Sequence, residues 1–109
     1  MTTHLSTPLD GVSAPTISEP VWALGVTRWM ANVVITGSPS GISLDIEGSV
    51  DGVNWADMMA TTSTSSWQEI GYAPGGTNFR MYPHVRARLN SLSGGSSPTV
   101  TVTLVGVDG

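Results

Sequence analysis

Four charged side chains, in two pairs, are the residues of this sequence whose spacing could do chemistry. Asp45 and Glu47 lie two positions apart in one segment, and Arg86 and Arg88 lie two positions apart in another. Two carboxylates can hydrolyse a glycosidic bond when they flank a cleft and burial raises the pKa of one of them. Residues at i and i+2 of a strand instead point to the same side of the sheet. We therefore predict a structural charge ladder, in which the two carboxylates on one strand face the two arginines on its neighbour.

The other candidate residues do not complete a catalytic or metal centre. His4 and His84 are the only histidines, cysteine is absent, and the spacing of zinc ligands does not occur. Asp51, Asn54 and Asp57 form the best candidate for a calcium site, although a turn requires the same residue types. We expect no metal, no cofactor and no catalytic residue, and we predict that the protein is not an enzyme.

Composition limits the partners that this chain can bind. The 109 residues carry a net charge of −4, with four arginines and no lysine. Nucleic-acid binding needs a basic surface, and an acidic surface is repelled by anionic membranes, so we expect neither partner. The first residues lack the basic and apolar regions of a signal peptide, and the longest apolar run is too short to span a bilayer. We therefore expect a single domain made in a cytoplasm.

The segment 42–50 has the strictest alternation of apolar and polar residues, which predicts a strand with one buried face. Asp51-Gly52 then predicts a tight hairpin turn with positive φ angles, and Trp55 opens the returning strand. Trp55 is expected in the core together with Trp29, whereas Trp22 and Trp67 are either core residues or exposed anchors for sugar rings or proteins. The apolar residues of this strand that should face the core are Ile42, Leu44, Ile46 and Val50.

The same alternation recurs along the chain and predicts an all-β fold. About seven short strands at regular spacing are typical of a sandwich or a small barrel. We favour a single antiparallel β-sandwich, immunoglobulin-like or jelly-roll, over residues 21–109. The predicted strands are 21–26, 29–36, 42–50, 55–60, 67–71, 83–92 and 99–105.

Residues 1–20 differ from the rest of the chain because prolines and hydroxyl side chains dominate them. This composition predicts an extended N-terminal arm without a core of its own. The arm either docks on a partner through its scattered apolar residues or is a floppy terminus. The side chains predicted to bind a capsid or another partner are Leu5, Leu9, Val12, Ile17 and Trp22.

Three segments within residues 41–107 resemble small β-sandwich proteins of tailed-phage virions. They are the Ser-x-Asp-Gly-x-x-Trp hairpin at 49–55, the strand that begins Val-Arg-Ala-Arg at 85, and the terminal Thr-Val strand at 99–105. A similar turn occurs in discoidin-like domains that bind sugars or lipids. The N-terminal arm lies outside the resemblance.

The resemblance implies a non-enzymatic structural protein that is located on the virion. Its implied role is that of a capsid decoration protein, which binds the major capsid protein on the outside of the head and stabilises the shell. It also implies self-association, with trimers at local three-fold positions. The alternative is a carbohydrate-binding or adhesion module of a phage tail or fibre.

Overall fold

A computed structural model describes residues 3–71 and 82–108 of the chain. These residues contain strands and turns, and none of them lies in a helix that could cross a membrane. The strands are β1 (Thr3–Val12), β2 (Thr16–Ile17), β3 (Val21–Trp22), β4 (Val26–Thr36), β5 (Gly41–Ser49), β6 (Ala56–Thr61), β7 (Trp67–Gly71), β8 (His84–Ser93) and β9 (Thr99–Asp108).

The strands form two antiparallel sheets that pack as a β-sandwich, which confirms the predicted fold class. The four-stranded sheet has the order β1-β9-β4-β7. In the five-stranded sheet the order is β2-β8-β5-β6, and β3 also pairs with β8. The apolar side chains buried between the sheets are Leu9, Ala23, Val26, Trp29, Ala31, Val33, Ile42, Leu44, Ile46, Val85, Ala87, Leu89, Val100, Val102 and Leu104.

Period-two alternation predicted the inward face of β5 correctly from Ile42 to Ile46, because successive side chains in a strand point to opposite sides of the sheet. Val50 is the exception, since β5 ends at Ser49 and Val50 is exposed. The strand predicted at 21–26 is not continuous in the structure. It is divided into β3 and the start of β4, and Gly25 lies between them with a φ of 91°.

The separate arm predicted for residues 1–20 is a wrong assignment. β1 pairs with β9 from Thr3 to Val12 as the edge strand of the four-stranded sheet, and Leu9 is only 1% exposed in the core. The register shifts between Ser6 and Leu9 and again between Leu9 and Val12. These shifts interrupt the alternation that marks a strand in a sequence, and an edge strand also tolerates proline. The sandwich therefore includes most of the first twenty residues.

The connection between β5 and β6 is a six-residue loop, 50–55, and not the tight turn predicted at Asp51-Gly52. Asp51 organises this loop: its Oδ1 accepts the backbone N–H groups of Val53 and Asn54, both at 2.8 Å. The Oγ of Ser49 donates to the same oxygen at 2.9 Å and accepts from the N–H of Gly52. Gly52 alone in this loop has a positive φ, 77°.

Candidate functional site

The outward side of the five-stranded sheet carries most of the candidate residues. Residues directly opposite each other in an antiparallel pair point to the same side of the sheet. The register pairs Asp45 with Arg88, Glu47 with Arg86, Ile17 with Arg88, and Trp22 with His84. We call this side the outer face, and its residues are Ile17, Trp22, Asp45, Glu47, Trp55, Asp57, His84, Arg86, Arg88 and Asn90.

Glu47 is the centre of the charged cluster on the outer face. Its side chain is only 8% exposed, and its Oε1 accepts a hydrogen bond of 2.7 Å from Nε of Arg86. Nη1 of Arg88 lies 3.8 Å from the other carboxylate oxygen, beyond hydrogen-bond range. The structure thus brings the four predicted ladder residues together on neighbouring strands. Both arginines, however, turn to Glu47, and Asp45 accepts a hydrogen bond from Asn90 instead.

Trp55 lies half-buried on the outer face, and its predicted place in the core is wrong. The guanidinium of Arg86 sits 4.0 Å from the centre of its ring. The register explains the position, because Asp57 is opposite Glu47 and Trp55 has the same parity as Asp57. The inward space beside Gly48 is filled by Tyr82 and Met58. Trp29 does lie in the core as predicted, while the side chain of Trp67 is outside the described residues.

Three carboxylates could in principle hold a cation. The carboxylate oxygens of Asp45, Glu47 and Asp57 lie within 4.8 Å of one another. Arg86 pairs with Glu47, and the amide of Asn90 donates to Asp45, so two of the three carboxylates already have a partner within the cluster. Asp45 and Glu47 lie side by side on one strand, whereas glycoside hydrolysis requires two carboxylates that flank the scissile bond from opposite sides.

The predicted calcium set of Asp51, Asn54 and Asp57 is divided between two places. Asp51 accepts hydrogen bonds from its own loop, including one from Nδ2 of Asn54, whereas Asp57 lies beside Glu47. The backbone N–H groups of Asn54 and Val53 hold the pKa of Asp51 well below its usual range. The carboxylate of Asp51 therefore serves to fix the loop.

Apolar side chains are exposed along the β2–β3 edge of the outer face. Ile17 is 53% exposed and Trp22 is 62% exposed, and the ring of Trp22 meets the ring of His84 edge-on at 5.1 Å. Leu5 is also exposed, on β1. Leu9 and Val12, in contrast, were predicted to bind a partner but pack in or against the core. Leu9, which is 1% exposed, is not accessible to a partner while β1 remains paired with β9, whereas Val12 is only partly buried.

A concave site of about 250 Å³ lies between β2 and β8, at the side of the outer face away from β5. Sequence reasoning missed it because it depends on the pairing of residues 16–17 with residues 88–89, about 70 positions later in the chain. A two-residue strand leaves no periodic pattern that could have indicated this pairing. We call it the Arg88 pocket, and its lining residues are Pro15, Thr16, Ile17, Arg88, Leu89 and Asn90.

Solved structures provide the comparison with known proteins. The SPBc2 prophage-derived protein YomS superposes with a TM-score of 0.62 at 14% identity, over 98% of this chain and 94% of YomS. The PBSX exported protein XepA superposes with a TM-score of 0.64 at 13% identity, over 96% of this chain. The chain shares its fold with YomS and XepA. No protein-family profile and no curated protein sequence matches it.

The structural matches to YomS and XepA cover different fractions of those two proteins. The match to YomS covers nearly the whole of both chains, whereas the chain spans 37% of the length of XepA. The sandwich thus corresponds to a complete small protein in one case and to part of a larger protein in the other. At this level of identity the likeness establishes the fold, and the side chains of the outer face must be interpreted from their own geometry.

Proposed function

We propose that this chain is a non-enzymatic structural protein of a phage particle, and specifically a decoration protein that binds the outside of the head. The fold that it shares along its whole length with the prophage-derived YomS supports the phage assignment. The resemblance of its hairpin and its last two long strands to virion proteins points in the same direction.

The observation that carries this proposal is the composition of the exposed β2–β3 edge. Trp22 and Ile17 are more than half exposed there, and Arg88 lies in register with Ile17 on the outer face. Tryptophan and arginine are enriched among the residues that dominate the binding energy of protein interfaces. We expect this edge to be the surface that meets the major capsid protein.

The mechanism of stabilisation is mass action. A protein that binds only the assembled shell stabilises the shell, and this stabilisation grows with the logarithm of the free protein concentration relative to its Kd. Repeated copies, arranged as trimers at local three-fold positions, would combine several weak contacts into stable attachment. The partner surface would cover Trp22 and Ile17, whose burial supplies roughly 25 cal/mol for each Å² of apolar area removed from water.

A mutational experiment tests the proposed surface. Trp22→Ala should lower the number of copies bound to particles, because it removes the largest exposed apolar side chain of the edge. Val34→Ser is the matched control, since Val34 is exposed on β4 in the other sheet. Occupancy should be unchanged in this control. If Trp22→Ala decorates purified particles as fully as the wild type, the edge is not the binding surface.

The second candidate function is a carbohydrate-binding or adhesion module of a tail or fibre. The exposed ring of Trp22 favours it, because an indole beside polar groups such as His84 is suited to stack on a sugar ring. The two functions differ in stoichiometry: a decoration protein is present in hundreds of copies, and a tail module in a handful. Binding of the free domain to glycans, lost in Trp22→Ala, would favour the module.

A further inference from the structure

Most of the large apolar side chains that the described residues expose lie at one end of the sandwich. This end contains the β3–β4 turn and the β5–β6 loop. The two connections meet at the start of β8, because His84 pairs with Trp22 on one side and with Ser49 on the other. We call it the apolar end, and its residues, each between 62% and 76% exposed, are Trp22, Leu24, Val50 and Val53.

The opposite end of the sandwich has a different composition. Its two connections, 37–41 and 93–98, consist of serine, glycine and proline, and neither exposes a large apolar side chain. We call it the serine–glycine end. Clustered apolar side chains on a protein surface mark sites of interaction. The difference between the two ends therefore indicates that one end meets a partner and the other stays in solvent.

Val50 and Val53 are presented by a loop that is fixed at several points. Asp51, between them, accepts hydrogen bonds from the backbone of the loop and from a side chain within it. The ring of His84 lies against Gly52, where an added side-chain carbon would meet the ring at 3.7 Å. A loop that is fixed before binding loses less conformational entropy when a partner covers it. The two valines are thus preorganised as anchors.

The charge at the apolar end decides between the possible occupants. Asp51 is the only charged residue of the loop 50–55, and the turn 23–26 has none. A symmetric dimer through this end would bring two Asp51 carboxylates together, and like charges in an interface are unfavourable. A bilayer would have to accept an ionised carboxylate between two valines, which is also costly. A protein surface that is apolar, with a cation beside it, matches both features.

We infer that the apolar end docks into an apolar depression on the major capsid protein that has a lysine or arginine beside it. Val50 and Val53 enter the depression, and Trp22 continues the contact onto the β2–β3 edge. The serine–glycine end points away from the shell, so the sandwich stands on one end. The inference rests on the proposed function in one respect, namely that the partner is the capsid protein.

Single cysteines test this orientation, because the chain has no cysteine of its own. Val53→Cys and Ser96→Cys place one thiol at each end of the sandwich. A polyethylene glycol maleimide on Val53→Cys should prevent binding to purified particles that lack the protein, and the same label on Ser96→Cys should leave occupancy unchanged. Once each unlabelled variant is bound, only Val53→Cys should be protected from the maleimide. Full occupancy of labelled Val53→Cys would overturn the inference.

Substitutions that keep the fold test the two anchors. Val50→Ser and Val53→Ser should each weaken binding to particles by about tenfold, because each removes a buried valine from the contact. Both residues are exposed in the free protein, so the melting temperature should be unchanged. Val34→Ser is the control in the other sheet and should bind as the wild type does. Wild-type affinity of both loop variants would contradict the inference.

Asp51→Asn tests the cation beside the depression. The amide retains an acceptor oxygen for the backbone N–H groups of the loop and removes only the charge. We expect slower association and a weaker dependence of the association rate on salt, as for a charge at the rim of an interface. An unchanged salt dependence would show that no cation faces Asp51.

Particle occupancy separates this inference from the proposed function. If particles carry the wild type and Val53→Ser in equal numbers, in hundreds of copies, decoration stands and the inference fails. If particles carry a handful of copies and Val53→Ser removes them, docking through the apolar end stands and decoration fails. Absence of the protein from particles overturns both. Binding of the free wild type to phosphatidylcholine–phosphatidylglycerol vesicles, lost in Val53→Ser, would show that the apolar end meets a membrane and would overturn the inference.

Discussion

The guanidinium carbon of Arg86 lies 4.0 Å from the centre of the Trp55 ring. The same guanidinium donates to the buried carboxylate of Glu47, so the arginine is held between an aromatic face and an acid. This arrangement gives the two neighbouring arginines different roles. Arg86 is held on two sides, whereas Arg88 is 45% exposed and makes only a longer ion pair with Glu47, at 3.8 Å.

We predict that the two arginines contribute unequally to stability. Arg86→Ala should lower the free energy of unfolding by about 3 kcal/mol, because it leaves a buried carboxylate without its closest partner. Arg88→Ala should cost only about 0–1 kcal/mol, as an exposed ion pair does. Urea denaturation of both variants measures the difference. Equal losses would mean that Glu47 does not depend on Arg86.

The tryptophans provide a second comparison. Trp29→Ala removes a core side chain and should cost about 3–5 kcal/mol. Trp55→Ala loses a half-buried ring and its cation–π contact, and we expect a cost of about 1–2 kcal/mol. Thermal unfolding shows which of the two variants has the lower melting temperature. A Trp55→Ala protein as unstable as Trp29→Ala would place Trp55 in the core after all.

The sequence predicted the fold and the pairing of the charged residues for the same physical reason. Alternation along β5 and β8 determines which side chains share a face, and this parity holds along the paired part of a strand. It put Asp45 and Glu47 on the same side as Arg86 and Arg88. It could not indicate that Glu47 is buried, because that burial depends on neighbours from distant parts of the chain.

Strands and loops with an irregular backbone could not be predicted from the alternation of apolar and polar residues. Two register shifts hide β1 from any periodic pattern, so Leu9 was assigned to an arm although it fills the core. A six-residue loop replaces the expected tight turn and leaves Trp55 on the outer face. The Arg88 pocket forms only where the two-residue strand β2 pairs with β8, and no local sequence pattern indicates this pairing.

Leu5 and Leu9 form a matched pair on the same strand. Leu9→Ala should lower the free energy of unfolding by about 2–5 kcal/mol, because it opens a cavity in the core. Leu5, which is 71% exposed, should tolerate the same change with a loss within about 0.5 kcal/mol. Chemical denaturation of both variants checks this. If both substitutions are neutral, β1 does not belong to the folded unit.

The pKa of Asp51 predicts a pH dependence. Because hydrogen bonds from the loop lower this pKa in the folded protein, the stabilisation is fully present above the ordinary aspartate value of about 3.9. It is lost as the pH falls towards the lower value of the folded state. An NMR titration of the Asp51 carboxyl carbon should show a midpoint well below the ordinary value, and Asn54→Ala should raise it. A midpoint at the ordinary value would contradict the loop geometry.

The number of copies of this protein in purified phage particles tests the central claim most directly. Quantitative mass spectrometry against the major capsid protein gives that number, and treatment that removes tails from heads shows where the protein resides. Decoration predicts hundreds of copies that stay with the heads, and fewer copies when Trp22 is replaced by alanine. A handful of copies that leave with the tails, or absence of the protein from particles, would contradict it.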